Sequence, residues 1–186
     1  MTEQCFALFE TAIGACGVVW TDRGLCGVQL PEGSKDATRA RILRRHPGAV
    51  EATPPPNIQR AIDGMTALLR GEPRDLAFVT VDDSKISEFN RKVYVIARAI
   101  PPGQTLSYGE IAERLGDKTL ARAVGQAMGE NPTPIVMPCH RVLAANGKLG
   151  GFSAPGGVRT KRRLLAIEGA RSTEGPDLFD RAARAE

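Results

Sequence analysis

Residues 131–151 read NPTPIVMPCHRVLAANGKLGG. An apolar run that suits a buried strand stops at Pro138, and a thiol, an imidazole and a guanidinium follow at once as Cys139, His140 and Arg141. Apolar surroundings raise a thiol's pKa and keep it inert, whereas a cation or proton acceptor beside it yields the nucleophilic thiolate. His140 is one of only two histidines in the chain.

Upstream, the pattern from residue 86 is helical. Ile86, Phe89, Val93, Ile96, Ala97 and Ile100 share one face of a helix that must stop at Pro101-Pro102-Gly103. Ser107 and Glu110 form an S-x-x-E capping box opening YGEIAERLG, and Gly116 suits its C-terminal cap. A second short helix is predicted near 119–128, and two such helices with a tight turn suggest a helix-turn-helix. Its inward stripe is Leu120, Val124 and Ala127, which turns Arg122 outward among Gly125, Gln126 and Gly129. A mid-helix glycine costs about 1 kcal/mol against alanine. One arginine among tiny residues lets a backbone approach closely, either another molecule's or that of a neighbouring helix.

Downstream, GVRTKRRLLAIEG places Lys161, Leu164, Leu165 and Glu168 on one helical face. A face bearing two leucines is buried, so its lysine and glutamate need partners.

Further out, CFALFETAIGACGVVWTDRGLCGVQLPEG reads as three short strands with turns at Ala12-Ile13-Gly14 and Asp22-Arg23-Gly24. A polar helix at 36–46, the EATPPPN linker, a helix at 57–70 and a strand in LAFVTVDD follow. The stripe of the 57–70 helix is Ile58, Ile62, Met65, Leu68 and Leu69. These elements make residues 1–85 a small α+β domain without chemistry of its own, followed by a unit over 86–172 and an acidic tail over 173–186. Charge divides the same way. Residues 1–85 carry 10 Lys+Arg against 11 Asp+Glu, residues 86–172 carry 13 against 6, and the tail carries 2 against 4. A basic half beside a neutral one fits a polyanionic partner as well as it fits solvated lysines and arginines.

No window reaches the ~18 apolar residues of a membrane span, and MTEQCFALFE lacks the form of a signal peptide. A soluble cytoplasmic protein with reduced thiols is expected. Cys5, Cys16, Cys26 and His46 are separated by ten, nine and nineteen residues, without any C-x2-4-C or H-x3-5-H pair. Buried structural thiols are therefore expected, and no metal.

With these pieces in hand, the sequence resembles the O6-alkylguanine-DNA alkyltransferases, the methylated-DNA–protein-cysteine methyltransferases. MPCHRVL matches the family's P-C-H-R-V core, RAVGQAMGENP its recognition-helix and hinge motif, and SYGEIA and LLAIEG lie at matching distances. The likeness is strong over about 86–170 and present only in outline before that. It implies an α+β (α/β) chain: a three-layer-like N-terminal domain and a mostly helical C-terminal domain with a helix-turn-helix of winged-helix type. GFSAPGG carries two more residues between Phe152 and the glycine pair than the family pattern.

The resemblance also implies a reaction. Cys139 would take the alkyl group from O6-alkylguanine, with O4-alkylthymine as a further adduct class. His140 would accept the thiol proton through a water, and Glu168 would orient and balance the histidine. Tyr108 would protonate the departing purine, and Lys161 would support the charge shift. The carbonyls of Cys139 and Val142 and the Ser153 N–H would read the guanine edge, with Met128 in the same pocket. A stacked base cannot react and must be flipped out of double-stranded DNA. Arg122 would fill the gap from the minor groove, with Ala121, Ala123, Gly125 and Ser107 against the DNA. Asn131 would tie the recognition helix to the active-site strand. A thioether is a poor leaving group, so one turnover per molecule, no cofactor and a monomer are implied.

Three rivals are weaker. A lesion sensor of this family would replace the cysteine. A transcription regulator would need a further domain. A direct Cys-His hydrolase dyad conflicts with adjacent strand side chains pointing to opposite faces.

Overall fold

The computed structural model describes residues 3–170 and Ser172; the predicted tail over 173–186 lies outside the described residues. Strands β1 (Cys5–Thr11), β2 (Gly14–Thr21) and β3 (Gly24–Gln29) run antiparallel, joined by turns at the predicted positions. A short β4 (Val50–Glu51) adds parallel to β1, giving the order β3-β2-β1-β4. Alternation along the strands sorts the side chains between two faces. Ala7, Cys16, Val18 and Trp20 pack with helix α2 (Pro56–Leu69), whose Ile58, Ile62, Met65, Leu68 and Leu69 form the expected buried stripe. Phe6 and Val19 face the other way, toward Ile42 of α1 (Lys35–Arg45). At Gly17 the end of the Ile42 side chain occupies the space a Cβ would take, so a larger residue there would have to displace it. Helices on both faces of the sheet make the N-terminal part three-layered.

The strand expected in LAFVTVDD does not form. Leu76 and Val79 are both drawn into the core, with the Val79 N–H donating to the Leu76 carbonyl across a turn. Only the end of the segment meets the β3 edge: the Leu25 N–H donates to the Thr80 carbonyl and the Asp82 N–H to the Leu25 carbonyl.

The C-terminal part is helical. Helix α3 (Glu88–Arg98) is capped by the Ser87 hydroxyl and ends before the Pro-Pro-Gly stop. Strand β5 (Leu106–Ser107) leads into α4 (Tyr108–Arg114) through the predicted capping box. There Ser107 Oγ accepts the Glu110 N–H at 3.1 Å, and Glu110 Oε2 accepts the Ser107 N–H at 2.6 Å. Gly116, at φ +97°, closes α4 with paired bonds from Gly116 N–H to Glu113 and from Asp117 N–H to Ala112. After one 3-10 turn comes α5 (Ala121–Gly129), braced by the Tyr94 hydroxyl, which donates to the Ala127 carbonyl at 2.8 Å.

Residues 133–137 are buried but are not the strand their apolarity suggests. Proline at 132, 134 and 138 denies the segment ladder donors. The chain turns instead, with the Met137 N–H donating to the Thr133 carbonyl and Ile135 at φ +76°. A β-branched residue in that region is strained and needs surroundings that impose it. Ile135 and Val136 insert into the core under the N-terminal sheet, and the Val28 N–H of β3 donates to the Pro132 carbonyl at 2.9 Å. The two halves thus share a core across the 85/86 boundary, and this shared packing carries the segment that leads to Cys139.

Candidate active site

Cys139, His140 and Arg141 occupy a single 3-10 turn between Pro138 and strand β6 (Val142–Leu143), not a strand. All three are buried. Strand β6 pairs in parallel with β5, setting Leu106 beside Val142 and Ser107 beside Leu143. That short pairing brings Tyr108, the first residue of α4, to the thiol, and Tyr108 and Cys139 pack in one cluster.

Helix α6 (Val158–Ile167) supplies both buried charges predicted for its inner face, but to different partners. Glu168, at its C-cap, accepts from His140 Nε2 at 2.9 Å and bidentately from Arg141, with Nε at 2.9 Å and Nη2 at 2.8 Å. Arg141 Nη1 donates to the Ile100 carbonyl at 2.6 Å. Lys161, fully buried, donates through Nζ to the Val142 carbonyl at 2.6 Å, with the Gly151 carbonyl at 3.5 Å. Its Nζ also lies 5.7 Å from the centre of the Tyr108 ring.

These surroundings set the protonation states. Burial pushes the Cys139 thiol up, against the hydrogen bond from Asn131 and the Lys161 charge, which pull it down. The resting group is therefore a thiol, and the cation nearby does not win. Burial also lowers the His140 pKa, against the Glu168 carboxylate. Burial alone would raise Glu168, but hydrogen bonds from His140 and Arg141 hold it at about 2. The guanidinium helps balance the carboxylate, and burial leaves the imidazole neutral. With Nε2–H donating to Glu168, Nδ1 carries the lone pair, and this buried atom has no partner. Lys161 is lowered to about 8 by burial, and Tyr108 is raised by burial, so the phenol keeps its proton.

Asn131 does more than tie elements together. Its Nδ2 donates to the Met137 carbonyl at 2.8 Å and to Cys139 Sγ at 3.2 Å, while Oδ1 accepts the Thr133 N–H at 2.9 Å. Val142 is buried, and its carbonyl already accepts from Lys161. Ser153 is exposed, and its hydroxyl donates to the Gly129 carbonyl at 3.0 Å. Met128 is buried in the helical core with Cys139.

On α5, Arg122 is exposed and Ala121 and Ala123 are half-buried. Nothing lies within 4 Å of the place a Gly129 Cβ would take, so this glycine is not there for helix packing. Gly125 differs: its Cβ position is 4.0 Å from the Tyr108 ring. The face of α5 is open outward and meets the site inward. Ser107, the N-cap of α4, sits half-buried beside it.

Cys139 opens onto a cavity of about 250 Å³ walled by Asn131, Pro134, Gly129 and the 152–155 segment that contains the extra residues. The N-terminal part also lines it, through Gln29, Leu30, Arg41 and Arg45. That contribution was not legible in the sequence, nor was the clamp by Arg141, although a guanidinium inside an apolar run already signals a buried partner. Away from this site, Cys16 and Cys26 face opposite sides of the sheet, and burial pushes them up to about 12 and about 11. Among the described residues no cluster of three His, Cys, Asp or Glu side chains suits a metal ion, and no helix is long and apolar enough to cross a membrane.

Residues 88–170 match the family described as 6-O-methylguanine DNA methyltransferase, DNA binding domain. The chain is 36% identical over 159 residues to the methylated-DNA–protein-cysteine methyltransferase of Methanothermobacter thermautotrophicus, covering 86% of this chain and 81% of that protein. It is 40% identical over 146 residues to the protein of the same name from Mycobacterium bovis, covering 77% and 86%. The crystal structure of Mycobacterium tuberculosis OGT in complex with DNA superposes with a TM-score of 0.71 at 33% identity, over 88% of this chain and 92% of that one.

Proposed function

The chain belongs to the methylated-DNA–protein-cysteine methyltransferase family, and from that premise we propose Cys139 as the residue that receives the alkyl group. The protein binds DNA and repairs it by direct transfer of an alkyl group from the damaged base to a protein cysteine. One observation carries the assignment: Gln4 also donates to the Cys26 sulfur, but of the four cysteines only Cys139 combines an amide donor on sulfur with a neutral imidazole next in sequence and a buried ammonium nearby.

The steps follow from the protonation states. His140 Nδ1 takes the thiol proton, through a bridging water, since the imidazole's other nitrogen is committed to Glu168. The imidazolium so formed sits against a carboxylate that Arg141 holds in place. The thiolate attacks the carbon on guanine O6, the C–O bond breaks, and guanine leaves with the electron pair. Tyr108 donates a proton to the purine, and Lys161 neutralises charge developing beside it. The carbonyls of Cys139 and Val142 and the N–H of Ser153 read the guanine edge, and Met128 backs the pocket.

The base reaches this buried thiol only outside the stack. Arg122 fills the gap it leaves, while Ala121, Ala123 and Gly125 let α5 approach the minor groove and Ser107 lies against the backbone. The open, small-residue surface around Gly129 supports that placement. The chain acts as a monomer, once per molecule, because a thioether does not release its alkyl group. Mixing the protein with a duplex carrying O6-methylguanine should add one methylene's mass to the peptide containing Cys139, with repair stopping at one equivalent. Continued turnover, or modification of another cysteine, would exclude the assignment.

A further inference from the structure

We propose that Arg41 and Arg45 extend the alkyl subsite onto the N-terminal domain and favour O6 adducts that end in a carboxylate. This rests on Cys139 being the acceptor.

The cavity at Cys139 measures about 250 Å³, and a methyl group fills only a small part of it. Cys139, Pro134 and the 152–155 segment line this space together with Gln29, Arg41 and Arg45. Two guanidiniums line it, and no aspartate or glutamate does. Arg41 makes one long ion pair, with Glu32, and Arg45 makes none among the described residues. Arg41 Nε lies 3.6 Å from Glu32 Oε1, too far for a hydrogen bond, and that oxygen already accepts from Gln29 Nε2 at 3.2 Å. Arg45 has no ion-pair or hydrogen-bond partner among the described residues. A planar carboxylate matches a guanidinium fork. In the transfer itself Sγ bonds to the adduct's CH2 as the thiol's proton passes to His140, the CH2–O6 bond breaks, Tyr108 protonates the departing guanine, and the carboxylate is a spectator held by the guanidiniums.

The test compares three duplexes that differ only in the O6 group: methyl, carboxymethyl, and carbamoylmethyl as the neutral counterpart of similar size. Single-turnover rates are measured at subsaturating DNA for the unmodified chain and for Arg41→Ala/Arg45→Ala. The expected result is a fall of about tenfold in the carboxymethyl rate relative to the other two, since charge-assisted hydrogen bonds are the stronger kind. Arg41→Lys/Arg45→Lys should recover part of that ratio. Equal slowing on all three duplexes would mean that the arginines hold a backbone phosphate, and unchanged rates would mean that they are solvated bystanders; either overturns the proposal. If the unmodified chain fails on O6-methylguanine as well, the acceptor assignment itself falls, and this proposal with it.

Discussion

Cys16 and Cys139 are both buried thiols, one in each half of the chain, and burial pushes both upward. Cys16 sits among Val18, Trp20 and the stripe of α2, where the Thr11 hydroxyl hydrogen-bonds it and the Glu10 charge pushes it further up. Cys139 is as dry, but polar groups converge on it: the Asn131 amide on sulfur, the Lys161 charge nearby, and a neutral imidazole next along the turn. Burial therefore does not distinguish an inert thiol from a reactive one. What matters is whether a proton acceptor and a balancing charge are held within the same desolvated volume.

The sharpest break of this comparison exchanges the two thiols. Cys139→Ala should abolish alkyl transfer, whereas Cys16→Ala should leave the single-turnover rate unaltered and lower unfolding free energy by about 1 kcal/mol, as ordinary core truncations do. Transfer retained by the Cys139 variant would undo the distinction.

Next in size is the charge behind the base. Glu168→Gln keeps the shape but cannot balance an imidazolium, and should slow transfer by roughly a hundredfold or more while duplex affinity stays the same. The same carboxylate predicts an acid limb in stability. Its folded pKa of about 2 lies below the ordinary 4.5, so the stabilisation is present above 4.5 and is lost as pH falls through about 2. The variant should lack that limb, worth up to about 3 kcal/mol. Urea unfolding of both proteins at stepped pH measures it.

A smaller effect concerns a residue outside the buried network. Arg122→Ala should slow repair in duplex DNA about ten- to a hundredfold, the size expected if a few kcal/mol of extrusion are no longer offset, and should spare free O6-benzylguanine. Equal slowing on both substrates would point to damage within α5. A charge-only role would leave the ratio intact and flatten the salt dependence by about one phosphate contact.

The mildest test uses Lys161. A buried base held at about 8 instead of 10.5 binds fewer protons folded than unfolded between those values, so stability rises with pH across that window. The unfolding free energy of the unmodified chain minus that of Lys161→Met should climb by no more than about 3 kcal/mol from pH 8 to 10.5. A flat difference would mean that the ammonium is better solvated than its burial implies.

Much was legible in advance because it rests on local rules. Turn residues set the two hairpins, the 3.6-residue period placed the stripe of α2, and Ser107 with Glu110 fixed the start of α4. Two segments misled for one reason. LAFVTVDD and PTPIVM are apolar enough for strands, but apolarity records burial and not geometry, and each turns within the core instead of pairing. The buried lysine and glutamate of α6 were readable as charges on an inner face, but their partners were not. Lys161 serves a carbonyl of β6, and Glu168 serves two neighbours of the thiol, because seven residues, about 10 Å along the helix axis, separate the two charges.

The sequence by itself determined the elements, the basic and neutral halves and the family, since periodicity, capping and motif spacing are properties of neighbours along the chain. Only the tertiary structure decided that the thiol rests protonated, that burial keeps His140 neutral while hydrogen bonds from His140 and Arg141 keep Glu168 anionic, and that β3 and α1 help line the cavity. Desolvation and charge balance depend on groups that meet in space from distant parts of the chain: Ile100, Arg141 and Glu168 at one point, and Gln29, Arg45 and Cys139 around another.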